Sequence, residues 1–400
     1  MRFLLVDTDY PEFLRWFYLQ NPGLERRRYE EQVQARAESL FGIANLYSRR
    51  LEKLGQEAWD VYANNESMQL AWARENGIRI RPESRLHSGG QRALPWANRI
   101  LGGIPSSSTW HARLERAPAR AGSIMRQRWS NRVLANILTA QVKRFTPDVL
   151  LNLAMDWVGS GLLKKIKPYV RMLVGQIAAP LPQGEDFRCY DLIISSLPNL
   201  VDHFRKLGIP SELTRLAFEP TTVTRLNGGV PRIAVSFVGS LSRHHSRRIR
   251  WLEQLCQRAD LQIWGPGVDS LPTTSPIRDH HRGTAWGLEM YRILQSSKVT
   301  LNQHIDVAGS YANNLRLFEA TGVGTLLVTD WKENLHEMFE PDKEVVAYRT
   351  AEECASLVDY YLENEHEREA VAKAGQQRTL KNHTYENRAR ELIALVQRYL

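Results

Sequence analysis

Arg316 and Glu319 stand three residues apart in LNQHIDVAGSYANNLRLFEATGVGTLLVTD, which covers Leu301–Asp330. The stretch is typical of a strand end, a Gly-Ser turn, a helix that begins at Ser310, a Gly-x-Gly stop and a second strand. In open α/β folds, anionic ligands bind where helix N-termini meet the carboxyl ends of strands, and a nearby carboxylate accepts hydrogen bonds from ribose hydroxyls. The pattern therefore predicts a nucleotide-sugar site in which Glu319 holds the ribose. The alternative is an ordinary intrahelical Arg–Glu pair, worth roughly 0.3 kcal/mol.

A second candidate turn, at Gly239 and Ser240, follows an apolar run that ends in Phe237-Val238. Glycine there lets a ligand approach the backbone, and the helix that follows offers unpaired N–H groups to a phosphate. Five basic residues crowd the start of that helix: Arg243, His244, His245, Arg247 and Arg248. Positive charge at this position would neutralise a leaving diphosphate. A tight turn with a solvated basic tip is the alternative.

Two more polar positions near strand ends are expected to meet the same ligand. Gly265 closes the short apolar run LQIW, and His304 lies two residues beyond Asn302 at the end of another apolar run. The carboxyl ends of parallel strands meet at one edge of a sheet, so these residues are predicted to lie with Glu319. A structural histidine with satisfied hydrogen bonds is the alternative for His304.

The positive charge of the chain lies in one segment. The net charge is +9, and residues 79–132 hold eleven arginines, no lysine and two acids, among glycines, prolines and a serine run. Such a segment is typical of loops and short helices on the surface. It predicts either a cationic surface for an anionic acceptor, lipid headgroup or nucleic acid, or a loosely ordered solvated insertion. Nucleic acid is the least favoured partner, because no helix-turn-helix, zinc or RNA-binding signature accompanies the arginines.

Composition excludes several other classes of protein. The content of 43% hydrophobic and 24% charged residues is that of a globular protein, and no stretch of 18 uninterrupted apolar residues predicts a membrane helix. The N-terminal MRFLLVDTDYPEF is too weakly apolar for a signal peptide and fits a first strand. The three cysteines, Cys189, Cys256 and Cys354, are widely separated, which predicts no disulfide, no zinc site and a cytoplasmic protein. Peripheral contact of this protein with an anionic membrane would come from the basic segment.

Strand and helix patterns alternate along the chain, as in α/β proteins. Predicted strands are Arg2–Val6, Ala58–Ala63, Val149–Ala154, Val170–Ile177, Leu192–Ser195, Thr214–Phe218, Ile233–Val238, Leu261–Trp264, Lys298–Asn302 and Thr325–Thr329. Predicted helices are Tyr29–Leu54, Glu66–Glu75, Ile124–Phe145, Pro198–Leu207, His245–Arg258, Gly287–Gln295, Tyr311–Thr321, Ala351–Glu363, His366–Asn382 and Glu386–Leu400. The polar stretch after Glu219-Pro220 is the best candidate linker between two such series.

Four segments resemble the CgeB-like (spore maturation protein-like) glycosyltransferases, which have the GT-B fold and a C-terminal domain of the glycosyl transferases group 1 type. They are FVGSLSRHHSRRIRWLEQL, GLEMYRILQSSKVTLNQHID, NNLRLFEATGVGTLLVTD and the sequence from EVVAYRTAEE to the last helix. The resemblance covers roughly 232–400. Within 1–220, only LEKLGQEAWDVYAN fits the start of the usual acceptor domain.

The resemblance implies an α/β fold of two doubly wound Rossmann-like domains that face each other across a cleft. Residues 1–220 would form the acceptor domain, with the basic insertion at about 79–132, and 221–382 the domain that binds the nucleotide-sugar donor. Residues 383–400 would form a helix that crosses back to the first domain. The diphosphate would lie against Gly239-Ser240 and against the start of a helix formed by Ser310, Tyr311, Asn313 and Asn314.

One position departs from the related pattern. The large retaining glycosyltransferases of this fold carry a Glu-x7-Glu pair whose second member matches Glu319, but Tyr311 stands in the place of the first. An inverting enzyme needs a general base near the acceptor hydroxyl, and Asp9 and Asp156, ahead of Asp7, are the candidates because they follow predicted strands. Helix capping is the alternative role for such acids. If the enzyme retains, stabilisation of the leaving group falls to Arg247, Arg248 and Arg316.

The sequence thus predicts a hexosyltransferase-type glycosyltransferase of polysaccharide or glycoconjugate biosynthesis. It would transfer a sugar from a nucleoside diphosphate sugar to a glycan, lipid-linked or protein acceptor. No further cofactor is expected. Asp7-Thr-Asp9 is the sole Asp-x-Asp match considered for a metal, and the arginines favour metal independence. The alternatives are a sugar-nucleotide epimerase or hydrolase of the same fold, and a non-catalytic protein that binds through its basic segment.

Overall fold

In a computed structural model, which describes residues 1–79, 132–226, 228–229, 232–241 and 246–400, the chain forms two parallel β-sheets. The basic segment predicted at 79–132 lies outside the described residues except for its two ends. The first sheet holds β1 (Arg2–Asp7), β2 (Glu57–Tyr62), β3 (Val149–Asn152), β4 (Met172–Gln176), β5 (Leu192–Ser195) and β6 (Ser211–Leu213). The second holds β7 (Ile233–Val238), β8 (Leu261–Trp264), β9 (Ser297–Asn302), β10 (Leu326–Asp330) and β11 (Val346–Tyr348).

The helices lie on both faces of each sheet, which makes both halves doubly wound. In the first half they are α1 (Pro11–Gln20), α2 (Tyr29–Glu38), α3 (Ala44–Lys53), α4 (Glu66–Glu75), α5 (132–145), α6 (Ser160–Ile166), α7 (Pro198–Lys206) and α8 (Thr221–Arg225). In the second half they are α9 (Ser246–Cys256), α10 (Ile277–His280), α11 (Gly287–Gln295), α12 (Arg316–Gly322), α13 (Ala351–Glu363), α14 (Glu365–Asn382) and α15 (Tyr385–Tyr399).

The order of the strands creates one crevice in each sheet. The first sheet runs β2-β1-β3-β4-β5-β6, and the second runs β11-β10-β9-β7-β8. The chain leaves β1 toward one edge and later returns to β3 on its other side, and β7 and β9 have the same relation. Ligands of open α/β sheets bind at such switch points, beyond the carboxyl ends of the strands. Ligand sites are therefore expected at the carboxyl ends of β1 and β3 and at those of β7 and β9.

Buried apolar strands explain why both sheets form. Phe3, Leu4, Leu5 and Val6 of β1 are fully buried, as expected for a parallel strand covered by helices on both faces. A cluster on one face of the first sheet also includes residues of the second half, among them Phe318 and Tyr385. The two halves therefore share a buried apolar contact.

The connection between the halves is tied to the end of the chain. Phe218 N donates to His383 O at 2.8 Å, and Tyr385 N donates to Phe218 O at 3.1 Å. From there α15 packs against α3 of the first half. A buried ion pair of Arg50 with Glu219 lies at the same junction. None of the helices among the described residues is both long enough and apolar enough to cross a membrane.

Three predicted elements differ from the structure. The helix predicted over Tyr29–Leu54 is two helices, α2 and α3, because the chain turns sharply where Leu40 and Gly42 have φ of 55° and 77°. The strand predicted at Thr214–Phe218 is instead β6, which ends at Leu213. The helix predicted from Tyr311 begins only at Arg316. Elements that were not predicted are α1, α6, α8, α10 and β11.

Candidate donor site

The ends of β7 and β8 contact each other through two glycines. Gly239 N donates to Trp264 O at 2.9 Å. Gly265 has a φ of +150°, and a Cβ placed on it would lie 1.8 Å from Gly239 O. A side chain at Gly265 is therefore excluded by the backbone opposite. Both glycines named by sequence reasoning lie at the edge where the crevice opens.

Two arginines lie on either side of the Gly239 turn. Arg316 Nη2 donates to Val238 O at 3.0 Å. Arg248 donates from Nη1 to Ser240 O at 3.2 Å and from Nη2 to Gln303 O at 2.8 Å. Burial lowers the pKa of Arg248 to about 10, and the charge of Arg316 acts in the same direction. Two cations thus lie close together at the end of β7, a charge distribution that suits a polyanion.

Glu319 faces one of these arginines from within the same helix. Its Oε2 lies 2.9 Å from Arg316 Nη1, which is the i,i+3 pair that the spacing predicts. Tyr291 of α11 hydrogen-bonds to the carboxylate. Burial raises the pKa of Glu319, although Arg316 and Tyr291 both oppose the shift. A buried carboxylate with two partners on its flanks is held in one orientation.

His304 is held by the neighbouring strand. Asp330, the last residue of β10, accepts from His304 N at 2.9 Å, and its Oδ1 lies 2.6 Å from Nδ1. Lys332 Nζ lies 3.3 Å from the other carboxylate oxygen of Asp330 and donates to Gly309 O at 2.6 Å. Burial raises the pKa of Asp330, but the hydrogen bonds from His304 and the charge of Lys332 outweigh it and lower the pKa overall. The other nitrogen of His304, Nε2, is buried without a hydrogen-bond partner in the described part of the chain.

The segment Ser310–Asn314 forms a loop rather than the predicted start of a helix. Asn314 Oδ1 accepts from Leu317 N at 3.2 Å, so its side chain caps α12 and fixes the helix start later than expected. Asn314 Nδ2 also donates to Asn302 Oδ1 at 2.7 Å. Tyr311 packs on the apolar core of the first half, and Ser310 is exposed. A helix N-terminus at Ser310 therefore does not exist, and the loop spans the two halves instead.

Several buried polar atoms around this crevice have no hydrogen-bond partner among the described residues. They are Arg248 Nε, Gln303 Oε1, His304 Nε2, Asn313 Oδ1 and Arg316 Nε. Buried polar atoms in proteins are nearly always paired, so such a group calls for a missing ligand or water. Arg247 is exposed at the start of α9, whereas Arg243, His244 and His245 lie outside the described residues. Among the described residues, no group of three or more His, Cys, Asp or Glu could hold a metal ion.

The acids predicted as bases lie at the other crevice, beyond β1 and β3, and differ sharply. Asp9 is 3% exposed and forms a bidentate ion pair with Arg36. The Arg36 guanidinium lies over the rings of Phe13 and Tyr62, at 4.7 and 4.6 Å from their centroids. Asp9 therefore pairs with a buried cation rather than facing an acceptor. Its expected role as a base stays a prediction that these contacts do not favour.

Asp156 has surroundings that suit a base better. It is exposed in the turn after β3, and neither a hydrogen bond nor an ion pair engages its carboxylate within the described ranges. Asp7, the last residue of β1, accepts from Thr8 N at 2.8 Å. Asp7 and Tyr10 follow β1 and Asp156 follows β3, and these two strands are neighbours in the sheet.

Sequence reasoning missed four residues of the two crevices: Arg36, Trp286, Tyr291 and Asp330. Asp330 directly follows the predicted strand Thr325–Thr329, which lies beside the strand before His304, so strand adjacency alone would have indicated it. Arg36 and Tyr291 carry no local signal, because their partners Asp9 and Glu319 lie 27 and 28 residues away in the sequence.

A comparison with protein-family models finds a match only in the second half of the chain. Residues 245–394, less than half of the chain, match the family model described as Glycosyl transferase-like. No curated protein matches the sequence.

Solved structures of similar fold span the whole chain. Sucrose-phosphate synthase (tll1590) from Thermosynechococcus elongatus has 10% identity and a TM-score of 0.55, with 100% of this chain and 98% of that chain covered. A glycosyltransferase from Rickettsia africae ESF-5 has 10% identity, the same coverage and a TM-score of 0.56. Anabaena Alr3699/HepE, solved in complex with UDP, has 11% identity, complete coverage of both chains and a TM-score of 0.54. The fold is thus that of the GT-B glycosyltransferases, and residues 245–394 form a glycosyl transferase-like region.

Proposed function

We propose that this chain is a glycosyltransferase that binds a nucleoside diphosphate sugar at the ends of β7 and β9. The observation that carries the proposal is the set of buried arginine, histidine and amide atoms without partners around Gly239. The arginine N–H groups are donors, which the acceptor oxygens of a diphosphate would satisfy. The amide oxygens are acceptors, which hydroxyl groups of the ribose or the sugar would satisfy, so a nucleoside diphosphate sugar supplies both. The match of 245–394 to the glycosyl transferase-like family supports the same function. So do the complexes of Anabaena Alr3699/HepE with UDP and with UDP-glucose.

Each part of the proposed donor has residues to receive it. Arg248 and Arg316 would bind the diphosphate and neutralise the charge that develops on it as the sugar leaves. The Gly239–Gly265 contact would leave the backbone accessible to the phosphates. Glu319, oriented by Tyr291, would accept hydrogen bonds from the ribose hydroxyls. His304 Nε2 would form a hydrogen bond with the nucleotide sugar, while Asp330 fixes the orientation of the imidazole ring through Nδ1.

The acceptor would enter from the first half of the chain. Asp156 would take the proton of the attacking hydroxyl, because it is exposed and unengaged, with Asp7 as the neighbouring candidate. Inversion at the sugar follows if Asp156 is the base, and the presence of Tyr311 in place of a first glutamate favours this outcome over retention. The acceptor would be a glycan, a lipid-linked sugar or a protein.

The donor site is tested by thermal unfolding with a panel of nucleoside diphosphates. A ligand that binds only the native state stabilises it by about 2.7 kcal/mol at a hundred times its Kd. We expect one base to raise the melting temperature. Glu319→Gln should weaken that nucleotide at least tenfold, and Arg248→Gln should abolish the preference for the diphosphate over the free nucleoside.

The matched control is Arg258→Gln, an exposed arginine at the opposite edge of the second sheet. It should bind the nucleotide as the wild type does. If no nucleoside diphosphate changes the melting temperature, the proposed function is wrong. If the control loses affinity as much as Arg248→Gln, general charge rather than the site is responsible.

Metal independence is a further part of the proposal and rests on the half-buried Arg248 and Arg316, which would supply the positive charge near the diphosphate. Transfer measured in excess chelator should keep the rate found without it. Loss of activity in chelator, restored by added Mg²⁺ or Mn²⁺, would show that a metal takes part.

A further inference from the structure

Tyr10 is an exposed aromatic residue at the crevice of the first half. It follows β1 and is 65% exposed. Its ring centroid lies 6.1 Å from that of Phe41 and 6.3 Å from that of Trp286. Phe41 and Trp286 in turn pack against each other at 5.1 Å. Large exposed aromatic side chains with a rigid backing commonly mark binding surfaces.

The position of Tyr10 connects the two crevices. Trp286 belongs to the second half of the chain and immediately precedes α11. One helical turn later, Met290 Sδ accepts from Arg316 Nη2 at 3.3 Å. Tyr10 therefore lies within a few side chains of the arginine that we assign to the donor.

The charges around Tyr10 select the kind of ligand. Asp7 ends β1, Asp156 follows the adjacent strand β3, and Glu12 stands two residues after Tyr10 in the chain. All three of these charged groups are acids, in contrast to the cationic donor side. Carboxylates accept hydrogen bonds from hydroxyl groups and repel phosphate, sulfate and uronate groups.

We infer that Tyr10 is the platform of an acceptor subsite for a neutral carbohydrate. The apolar face of a pyranose ring would stack on the exposed ring of Tyr10, and its hydroxyls would face Asp7 and Asp156. The inference rests on the proposed function and narrows its acceptor, at the point of reaction, to the hydroxyl of an uncharged sugar. Tyr10 would be a specificity-determining residue.

Saturation-transfer NMR on the full chain, with the preferred nucleoside diphosphate present, tests the inference. The probes are three neutral trisaccharides (maltotriose, cellotriose and triacetylchitotriose), trigalacturonic acid, glucose 6-phosphate and a serine-containing tripeptide. We expect transfer to at least one neutral trisaccharide and none to the anionic probes. Tyr10→Ala should weaken the neutral ligand at least tenfold, whereas Tyr10→Phe, which keeps the ring, should stay within threefold of the wild type.

Tyr360→Ala is the control, because Tyr360 is an exposed aromatic residue on α13 of the second half. It should bind the trisaccharide as the wild type does. Nucleotide binding, followed in the same samples, separates this inference from the proposed function. If the nucleotide binds but no neutral trisaccharide does, or if an anionic probe or the peptide binds instead, the inference is overturned. Equal binding by Tyr10→Ala would overturn it as well.

Discussion

Two carboxylates that follow strands of the first sheet have opposite surroundings. Asp9 is buried in an ion pair with Arg36, whereas Asp156 is exposed in a turn. Sequence spacing treats them alike, because both come just after a strand. The difference arises from Arg36, which lies 27 residues from Asp9 and reaches it only because α2 folds back over the first sheet. Partners of this kind have no local signal in the sequence.

Asp156→Asn tests the base directly. The amide cannot accept the hydroxyl proton, and loss of a general base typically lowers the rate by about 10²–10⁴-fold. We therefore expect kcat for transfer to fall at least a hundredfold, while the thermal shift given by the nucleotide is unchanged. Asp202→Asn, an exposed acid on α7, is the control and should transfer sugar at the wild-type rate. A rate within threefold of wild type for Asp156→Asn would return the role of base to Asp7 or remove it from the protein.

At the level of elements, the sequence predicted the regular parts better than the joints. Strands β5, β7 and β8 and helices α4, α11 and α13 have the predicted bounds, because apolar runs and helix stops mark them clearly. The break between α2 and α3 was missed because Leu40 adopts a left-handed φ that its type does not favour. The late start of α12 depends on Asn314, whose capping role competes with helix propensity.

The joint between α2 and α3 is also where the two halves meet. Gly287, the first residue of α11, has a φ of +52°, and a Cβ on it would lie 1.9 Å from Ser39 O. Leu288 N donates to that same oxygen at 3.0 Å. The close approach of two backbones therefore depends on glycine at this position. Because α11 also carries Met290 next to Arg316, this contact links the domain interface to the donor site.

Gly287→Ala should weaken the contact between the start of α11 and the backbone at Ser39. The left-handed backbone costs a residue with a Cβ about 1–2 kcal/mol, and forced displacement of packed groups costs about 1–3 kcal/mol more. Gly77→Ala is the matched control: its φ is +68° and nothing lies within 4 Å of its Cβ, so only the first cost applies. We expect denaturant unfolding to show a larger loss for Gly287→Ala, accompanied by weaker nucleotide binding. If the two variants lose the same free energy of unfolding, the Ser39 backbone moves aside without a measurable cost.

Across the whole molecule, two buried titratable groups, one in each half of the chain, act in opposite directions. Burial raises the pKa of Asp60, on β2, to about 7, although a hydrogen bond from Ser48 opposes the shift. Burial also lowers the pKa of His383, at the junction of α14 and α15, to about 4, although its bond to Met338 O opposes the shift. The sequence shows neither shift, because each results from tertiary burial of an otherwise ordinary side chain.

The signs of these shifts predict how stability depends on pH. Folded Asp60 keeps its proton up to about pH 7 while the unfolded chain loses it near 4, so its contribution falls as pH rises between those values. Folded His383 stays neutral down to about pH 4 while the unfolded chain is protonated below 6.5, so its contribution rises with pH across nearly the same window. In the wild type the two slopes, each at most about 1.4 kcal/mol per pH unit, largely cancel.

Single variants should uncover each slope. The free energy of unfolding of Asp60→Asn, measured in urea between pH 4.5 and 6.5, should rise with pH relative to the wild type, because only His383 then titrates. The free energy of unfolding of His383→Gln should fall with pH relative to the wild type over the same range. The profile of the double variant should run parallel to that of the wild type, since the two groups share no partner and the effects of such sites add. Parallel profiles for the wild type and both single variants would show that neither group has the shifted pKa. In that case neither group makes the stability of the fold depend on pH.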